Sequence, residues 1–283
     1  MKSLKSSKLI GVDLGGTNVR AGLIQNGRIA AIKSRAITSG AAQNVVIEEI
    51  CETIATVMQS GVRGIGIGVP SLAHHGVVFT PNNIPSWKRV PLKKILEKRF
   101  RLPVFVDNDA NCFALGELYF GAARHRQNVV GLIFGTGLGS GVIINGHLYS
   151  GSHGGAGEIG NIIYKEKNFE HYCSGRFFQR EFGMDGYELQ KAADGGDYAA
   201  REKLAAIGDH IGEVVMAALY AFDPEVIVLG GSVSKGFPYF EGRMREKMKA
   251  FHFQNSLKRL KIVLSKRNHI AVLGSAALCL DQP

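Results

Sequence analysis

Two stretches decide the fold: IGVDLGGTNVRAGLIQNGRI at Ile10–Ile29 and VGLIFGTGLGSGVIINGHL at Val130–Leu148. Each runs apolar strand, polar glycine turn, apolar strand, Asn-Gly, strand, so both read as β-hairpins whose second turn is Asn26-Gly27 or Asn145-Gly146. One pattern written twice means a duplicated domain. Glycine lets backbone N–H groups approach an anion closely, so two such turns can hold one nucleotide's phosphates from both sides. A Walker loop is excluded because the chain contains no Gly-Lys pair. A dinucleotide fingerprint is disfavoured because Gly139 and Gly141 lead into a strand, not a helix.

The length of 283 residues fits about two ordinary domains. With 45% apolar and 20% charged residues the chain is globular. The opening MKSLKSSK resembles the charged start of a signal peptide, but the apolar run behind it is stopped by Asp13. No stretch reads as long enough to span a membrane, so a soluble cytoplasmic protein is expected. Cys51, Cys112, Cys173 and Cys279 are scattered without a C-x-x-C pair, which fits buried thiols in a reducing compartment. The net charge of +10 raises the question of a polyanionic partner. In the basic run Lys88–Arg101, however, Leu92, Ile95, Leu96 and Phe100 recur at helical spacing, leaving the cations on a solvated face. No nucleic-acid platform of interleaved aromatic and basic residues is legible.

Helical periodicity is expected over Ala42–Ser60, Ala110–Phe120, Tyr198–Phe222, Tyr239–Phe251 and Val272–Leu280. Strands are expected at Gly64–Val69, Val104–Val106, Val226–Gly230 and Lys261–Leu264, with a loop-rich insertion at Ser150–Phe182. This alternation gives mixed sheets covered by helices, with a ligand cleft between the halves. Three further constellations carry chemistry. VDNDAN, Val106–Asn111, places Asp107, Asn108, Asp109 and Asn111 where a strand passes into a helix. Such residues are favoured helix caps, yet one cap needs one residue, and the surplus suits a polyhydroxylated substrate with one carboxylate as general base. GGAGEIGN brings Glu158 and Asn161 together on a turn, and VIVLGGSVS runs a strand into Gly230-Gly231.

Taken in order, DLGGTN, GVPS, NNIPSW, VDNDAN, GTGLGSG, GEIG and VIVLGGS resemble the ROK family of sugar kinases and sugar-responsive repressors over nearly the whole chain. The resemblance implies a two-domain, duplicated α/β fold of the actin/hexokinase (ribonuclease H-like) kind with an interdomain cleft that closes on its ligands. It implies a first domain at 1–113, joined by the C-terminal helix 270–283, and a second at 114–269. On matching positions, Asp13, Gly15, Gly16 and Thr17 would line one side of the phosphates of ATP, with Asp13 near Mg²⁺. Gly135, Thr136, Gly137 and Gly139 would line the other side, and Gly230 and Gly231 the adenosine. Asn83, Asn108, Asp109 and Glu158 would hold the sugar, joined by Asn161, and Asp109 is the implied catalytic base.

The departures matter too. Relatives commonly carry GEIGH and a C-x-C-G-x-x-G-C-x-E zinc loop. Here the His position is Asn161, and HYCSGRFFQRE at His171–Glu181 offers only His171 and Cys173. Tetrahedral structural zinc needs four ligands, so no zinc site is expected, and packing of Tyr172, Phe177 and Phe178 is expected to hold the loop instead. Laid without gaps on Gly175, the family's loop glutamate falls at Glu181. The expected activity is an ATP-dependent hexose kinase, most simply glucokinase-like. Fructose, mannose and N-acetylhexosamine remain open as acceptors, polyphosphate as an alternative donor, and a non-catalytic sugar-binding regulator as an alternative function. Regulators of the family carry a helix-turn-helix ahead of the kinase-like part, for which the hairpin beginning near Leu9 is expected to leave no room. Similar proteins are often homodimers.

Overall fold

The computed structural model describes residues 7–81 and 83–282. Its contacts divide the chain into two units. The first holds residues up to His125, His147–Ala156 and the chain from Lys266 onward; the second holds Arg126–Gly146 and Gly157–Ser265.

The first unit is built on a sheet in which Arg28–Ala36, Asn18–Gln25, Lys8–Leu14, Val62–Val69 and Val104–Asn108 lie side by side. Asn18–Gln25 is antiparallel to Lys8–Leu14, while Val62–Val69 and Val104–Asn108 continue the sheet in parallel. The second unit repeats this order. Leu138–Ile144 is antiparallel to Val129–Phe134, which is followed in parallel by Val226–Gly230 and Lys261–Leu264. The duplication read from the hairpins is therefore a duplication of sheet topology. Both Asn-Gly turns adopt the left-handed pair of conformations that a tight hairpin demands, with φ of 53° and 72° at Asn26-Gly27 and 53° and 79° at Asn145-Gly146.

The helix Asp109–Phe120 stays whole in the first unit, so the contact boundary falls after His125, beyond the 113/114 division expected from the sequence. The cause is close helix packing. A Cβ on Gly274 would stand 1.7 Å from the Cys112 carbonyl oxygen, and one on Gly116 would stand 2.6 Å from that of Ile270, so Asp109–Phe120 lies directly on Ile270–Ala277. The same C-terminal helix rests on the sheet where Gly11 and Gly66 lack side chains. In the basic helix Leu92–Phe100, Leu92 and Leu96 are buried and Lys94, Lys98 and Arg99 are exposed, as its spacing predicts. The helix expected at Tyr239–Phe251 runs instead over Phe237–Met248, because Pro238 is tolerated in a first helical turn.

One expectation is corrected. The helix Tyr198–Phe222 is long and apolar enough to cross a membrane by length and composition. Its apolar face is nevertheless the core of the second unit: Leu204, Ile207, Ile211, Val214, Val215 and Leu219 are all buried there.

Candidate functional site

In the first unit, strand Lys8–Leu14 ends in the glycine turn, where the Gly15 N–H donates to the Asn18 carbonyl at 2.8 Å. Strand register sets Asp13 opposite Arg20, whose Nη1 lies 3.3 Å from Asp13 Oδ2. Burial raises the Asp13 pKa above the ordinary carboxylate value, and the Arg20 charge opposes that shift. Neither Gly15 nor Gly16 takes a positive φ. Gly16 is needed for space: a Cβ there would meet the Asn83 side chain at 2.9 Å. Asn83 thus packs on bare backbone of the phosphate-type turn, two motifs 67 positions apart in the chain brought together.

Strand Val104–Asn108 delivers the VDNDAN cluster, and alternation along the strand separates its members. Asn108 is the helix N-cap, its Oδ1 accepting from the Ala110 N–H at 2.8 Å while Nδ2 donates to the Ser71 carbonyl at 3.3 Å. Asp109 opens the helix, where a carboxylate is favoured by the helix dipole. Asp107 accepts from the Asn108 N–H at 2.7 Å, from Asn111 Nδ2 at 2.7 Å and from Ser150 Oγ at 3.1 Å. Burial raises its pKa against those three hydrogen bonds. The expected surplus of substrate-facing groups is therefore smaller than the motif indicates, because Asp107 and Asn111 are spent on one another.

In the second unit, the turn after Val129–Phe134 is closed by a hydrogen bond from the Gly135 N–H to the Gly137 carbonyl at 2.9 Å, with Thr136 exposed at its tip. The Gly175 N–H donates to the Gly135 carbonyl at 2.7 Å. Ser140 Oγ donates to the Gly157 carbonyl and fixes the next segment, in which Asn161 Nδ2 donates to Glu158 Oε2 at 2.9 Å. The pairing of Glu158 with Asn161 is as the sequence predicts. Desolvation raises the Glu158 pKa, the Asn161 hydrogen bond opposes this, and the neighbouring Glu170 carboxylate adds to it.

Glu170 is the residue that the sequence reading missed. Asn168 caps the short helix Phe169–Cys173 through the His171 N–H at 2.9 Å, which sets Glu170 in its first turn. From there Oε2 accepts from the Leu138 N–H at 3.1 Å, and it lies 2.5 Å from where a Gly137 Cβ would stand. Glu181, the position that the gapless register marks, is exposed near the end of helix Arg176–Phe182. The Asn cap before Phe169 was legible; the 32-residue reach to Leu138 was not.

Strand Val226–Gly230 ends at Gly231, which has a φ of 87° and no room for a Cβ, since one would stand 2.3 Å from the Phe134 carbonyl oxygen. Beyond it lies a cavity of about 260 Å³ bounded by Gly175, Phe178, Tyr187, Ser232, Val233 and Gly236. The loop lacking the family's cysteines is held by rings. Tyr164 stacks on Phe169 at 4.7 Å, meets Tyr172 edge-on at 5.3 Å and bonds His210 Nδ1 through Oη at 3.1 Å, while Phe177 and Phe178 are buried.

The ROK family model matches residues 9–282. The chain is 31% identical to a glucokinase of Thermotoga maritima, over 97% of this chain and 98% of that protein. It is 27% identical to a xylose repressor of Bacillus subtilis, over 98% of this chain and 78% of that protein. A solved ROK family glucokinase from Streptomyces griseus, in complex with glucose and AMPPNP, superposes with a TM-score of 0.82 at 27% identity, covering 96% of this chain and 99% of that one.

Proposed function

The chain belongs to the ROK family, and from that premise we propose that it is an ATP-dependent hexose kinase of the glucokinase type, moving the terminal phosphate of ATP to a sugar hydroxyl. The observation that carries the reading is the carboxylate of Asp109 at the head of a helix beside its N-cap Asn108, in a chain that matches a glucokinase over 97% of its length.

Asp109 is the proposed general base, accepting the proton of the attacking hydroxyl. Asp107 is unsuited to that role because three donors already hold its carboxylate. Asn83, Asn108, Glu158 and Asn161 are proposed to hold sugar hydroxyls, with Glu170 in place of Glu181. The turns Gly15–Thr17 and Gly135–Gly139 are proposed to offer N–H groups, with the Thr17 and Thr136 hydroxyls, to the charge that develops on the transferring phosphoryl group. The bare backbone at Gly230-Gly231 and the cavity bounded by Gly175, Ser232 and Val233 suit a flat base and ribose.

Mg²⁺ seeks oxygen ligands. Asp13, whose Oδ2 lies 3.3 Å from Arg20 Nη1, is the residue proposed to supply one. When bound there with ATP, the ion would neutralise phosphate charge. The four unpaired thiols fit a reducing cytoplasmic compartment.

A coupled assay over glucose, fructose, mannose and N-acetylglucosamine, with ATP and polyphosphate as donors, tests the reading. Turnover of glucose with ATP is expected. Sugar binding without turnover on any acceptor would turn the assignment to a regulator, and turnover with polyphosphate alone would change the donor.

A further inference from the structure

The second unit carries a groove that none of the residues above uses. It lies where the helix Tyr198–Phe222 stops: Asp223 takes the left-handed C-cap conformation with a φ of 41°, and Pro224 cannot continue the helix. A space of about 610 Å³ opens there against Tyr220, His252 and Phe253. It adjoins a second space of about 340 Å³ that reaches Arg126, Arg259 and Lys261. Asp223, Asn255 and Ser256 line both, so the two form one continuous groove.

Its chemistry is graded along its length. At one end Tyr220 and Phe253 are 55% and 58% exposed, and their rings meet edge-on at 6.2 Å. Tyr220 is not loose: its ring packs on buried Phe251 at 4.2 Å, and its Oη accepts from the His252 N–H at 3.1 Å. In the middle stand a carboxylate and an amide, Asp223 and Asn255. At the other end stand the cations Arg259 and Lys261, beside the Glu225 carboxylate, which faces Arg126. Among the described residues the side chains of Asp223, Asn255, Arg259 and Lys261 engage no partner, whereas Arg126 is already 3.8 Å from Glu225.

We propose that this groove is a second ligand site and that it takes a hexose monophosphate. The C–H face of a pyranose lies against Tyr220 and Phe253, its hydroxyls bond Asp223 and Asn255, and its phosphate is held by Arg259 and Lys261. The groove has the size range of small-molecule sites. A nucleic-acid strand fits it less well, because Asp223 stands in the path of a continuous run of phosphates.

The site is scored by binding without turnover, so its fate is separate from that of the kinase reading. Glucose 6-phosphate is titrated calorimetrically into the full chain in the presence of saturating glucose. Binding that weakens at least tenfold in the double variant Arg259→Ala/Lys261→Ala and at least tenfold in Phe253→Ala is expected, with thermal midpoints retained. All three substituted positions are exposed, and the double variant tests the site even if Phe253→Ala folds poorly. No binding by the parent chain, or equal binding by the variants, overturns the proposal. Inorganic phosphate binding as tightly as the sugar phosphate reduces the groove to an anion site and overturns the sugar assignment. Tighter binding of a single-stranded oligonucleotide, or a dimer seen by sedimentation that dissociates in Phe253→Ala, overturns it in favour of another occupant.

Discussion

The Glu170 carboxylate and the Leu138 N–H are joined by a 3.1 Å hydrogen bond that ties the short helix Phe169–Cys173 to the second glycine turn. A loop without the family's cysteines thereby places a carboxylate beside Glu158, near enough for the two like charges to interact. Glu170→Gln keeps an acceptor and removes the charge. Hydrogen bonds to charged groups contribute about 1.5–3 kcal/mol, so the KM for glucose is expected to rise roughly 10-fold to 100-fold, with a smaller change in kcat. The Glu158 pKa should fall as its neighbour's charge is lost. Steady-state kinetics across pH checks both, and an unchanged KM removes Glu170 from the sugar site.

A Cβ on Gly137 would meet Glu170 Oε2 at 2.5 Å, the movable end of a side chain. Gly137→Ala is therefore expected to act by displacing Glu170. In a double-mutant cycle with Glu170→Ala, the effect of Gly137→Ala on glucose affinity should largely vanish. Full additivity of the two changes would show that the alanine acts elsewhere.

For Asp109→Asn, kcat is expected to drop ~10²-fold to 10⁴-fold while glucose affinity survives, because the amide still accepts a hydrogen bond and fills the same space. Rapid-quench kinetics together with glucose titration separates the two effects. Near-normal turnover would remove Asp109 from the role of base.

Asp107 gives a pH signature in stability. Its folded pKa is raised by burial, so its contribution is fully present below the unfolded pKa of about 3.9 and is lost as pH rises through the folded value. In Asp107→Asn, Oδ1 keeps the Asn108 and Asn111 donors and Nδ2 can donate to Ser150 Oγ. The parent chain should lose stability relative to this variant as pH rises from about 4 through the raised folded pKa. Urea unfolding at stepped pH measures the difference, and a difference independent of pH contradicts the assignment.

Purified protein is expected to hold no stoichiometric zinc and to lose no activity to a zinc chelator when Mg²⁺ is in excess. Cys173 is fully buried, and burial pushes its thiol pKa far above the ordinary value, which opposes the thiolate that zinc requires. Tyr164→Ala, which removes ring contacts to Phe169, Tyr172 and His210, should cost on the order of 2 kcal/mol of stability instead. Elemental analysis finding one zinc per chain, lost together with activity in Cys173→Ser, would contradict this.

Local chemistry settled the parts of the molecule that the sequence states outright. The Asn26-Gly27 and Asn145-Gly146 turns, the duplicated hairpins around them, the Asn108 cap and the pairing of Glu158 with Asn161 depend on residues a few positions apart, where φ preferences and strand alternation act directly. Tertiary structure decided the rest, because packing joins groups that no local preference links. In the phosphate-type turns Gly16 and Gly137 serve close approach by Asn83 and Glu170, not positive φ. Asp107 turns inward to Asn111 and Ser150, and Glu170, not Glu181, reaches the glycine turn. A helix apolar enough to cross a membrane becomes the core of a unit. Sequence named the chemical groups; burial and chain crossings determined which of them face one another.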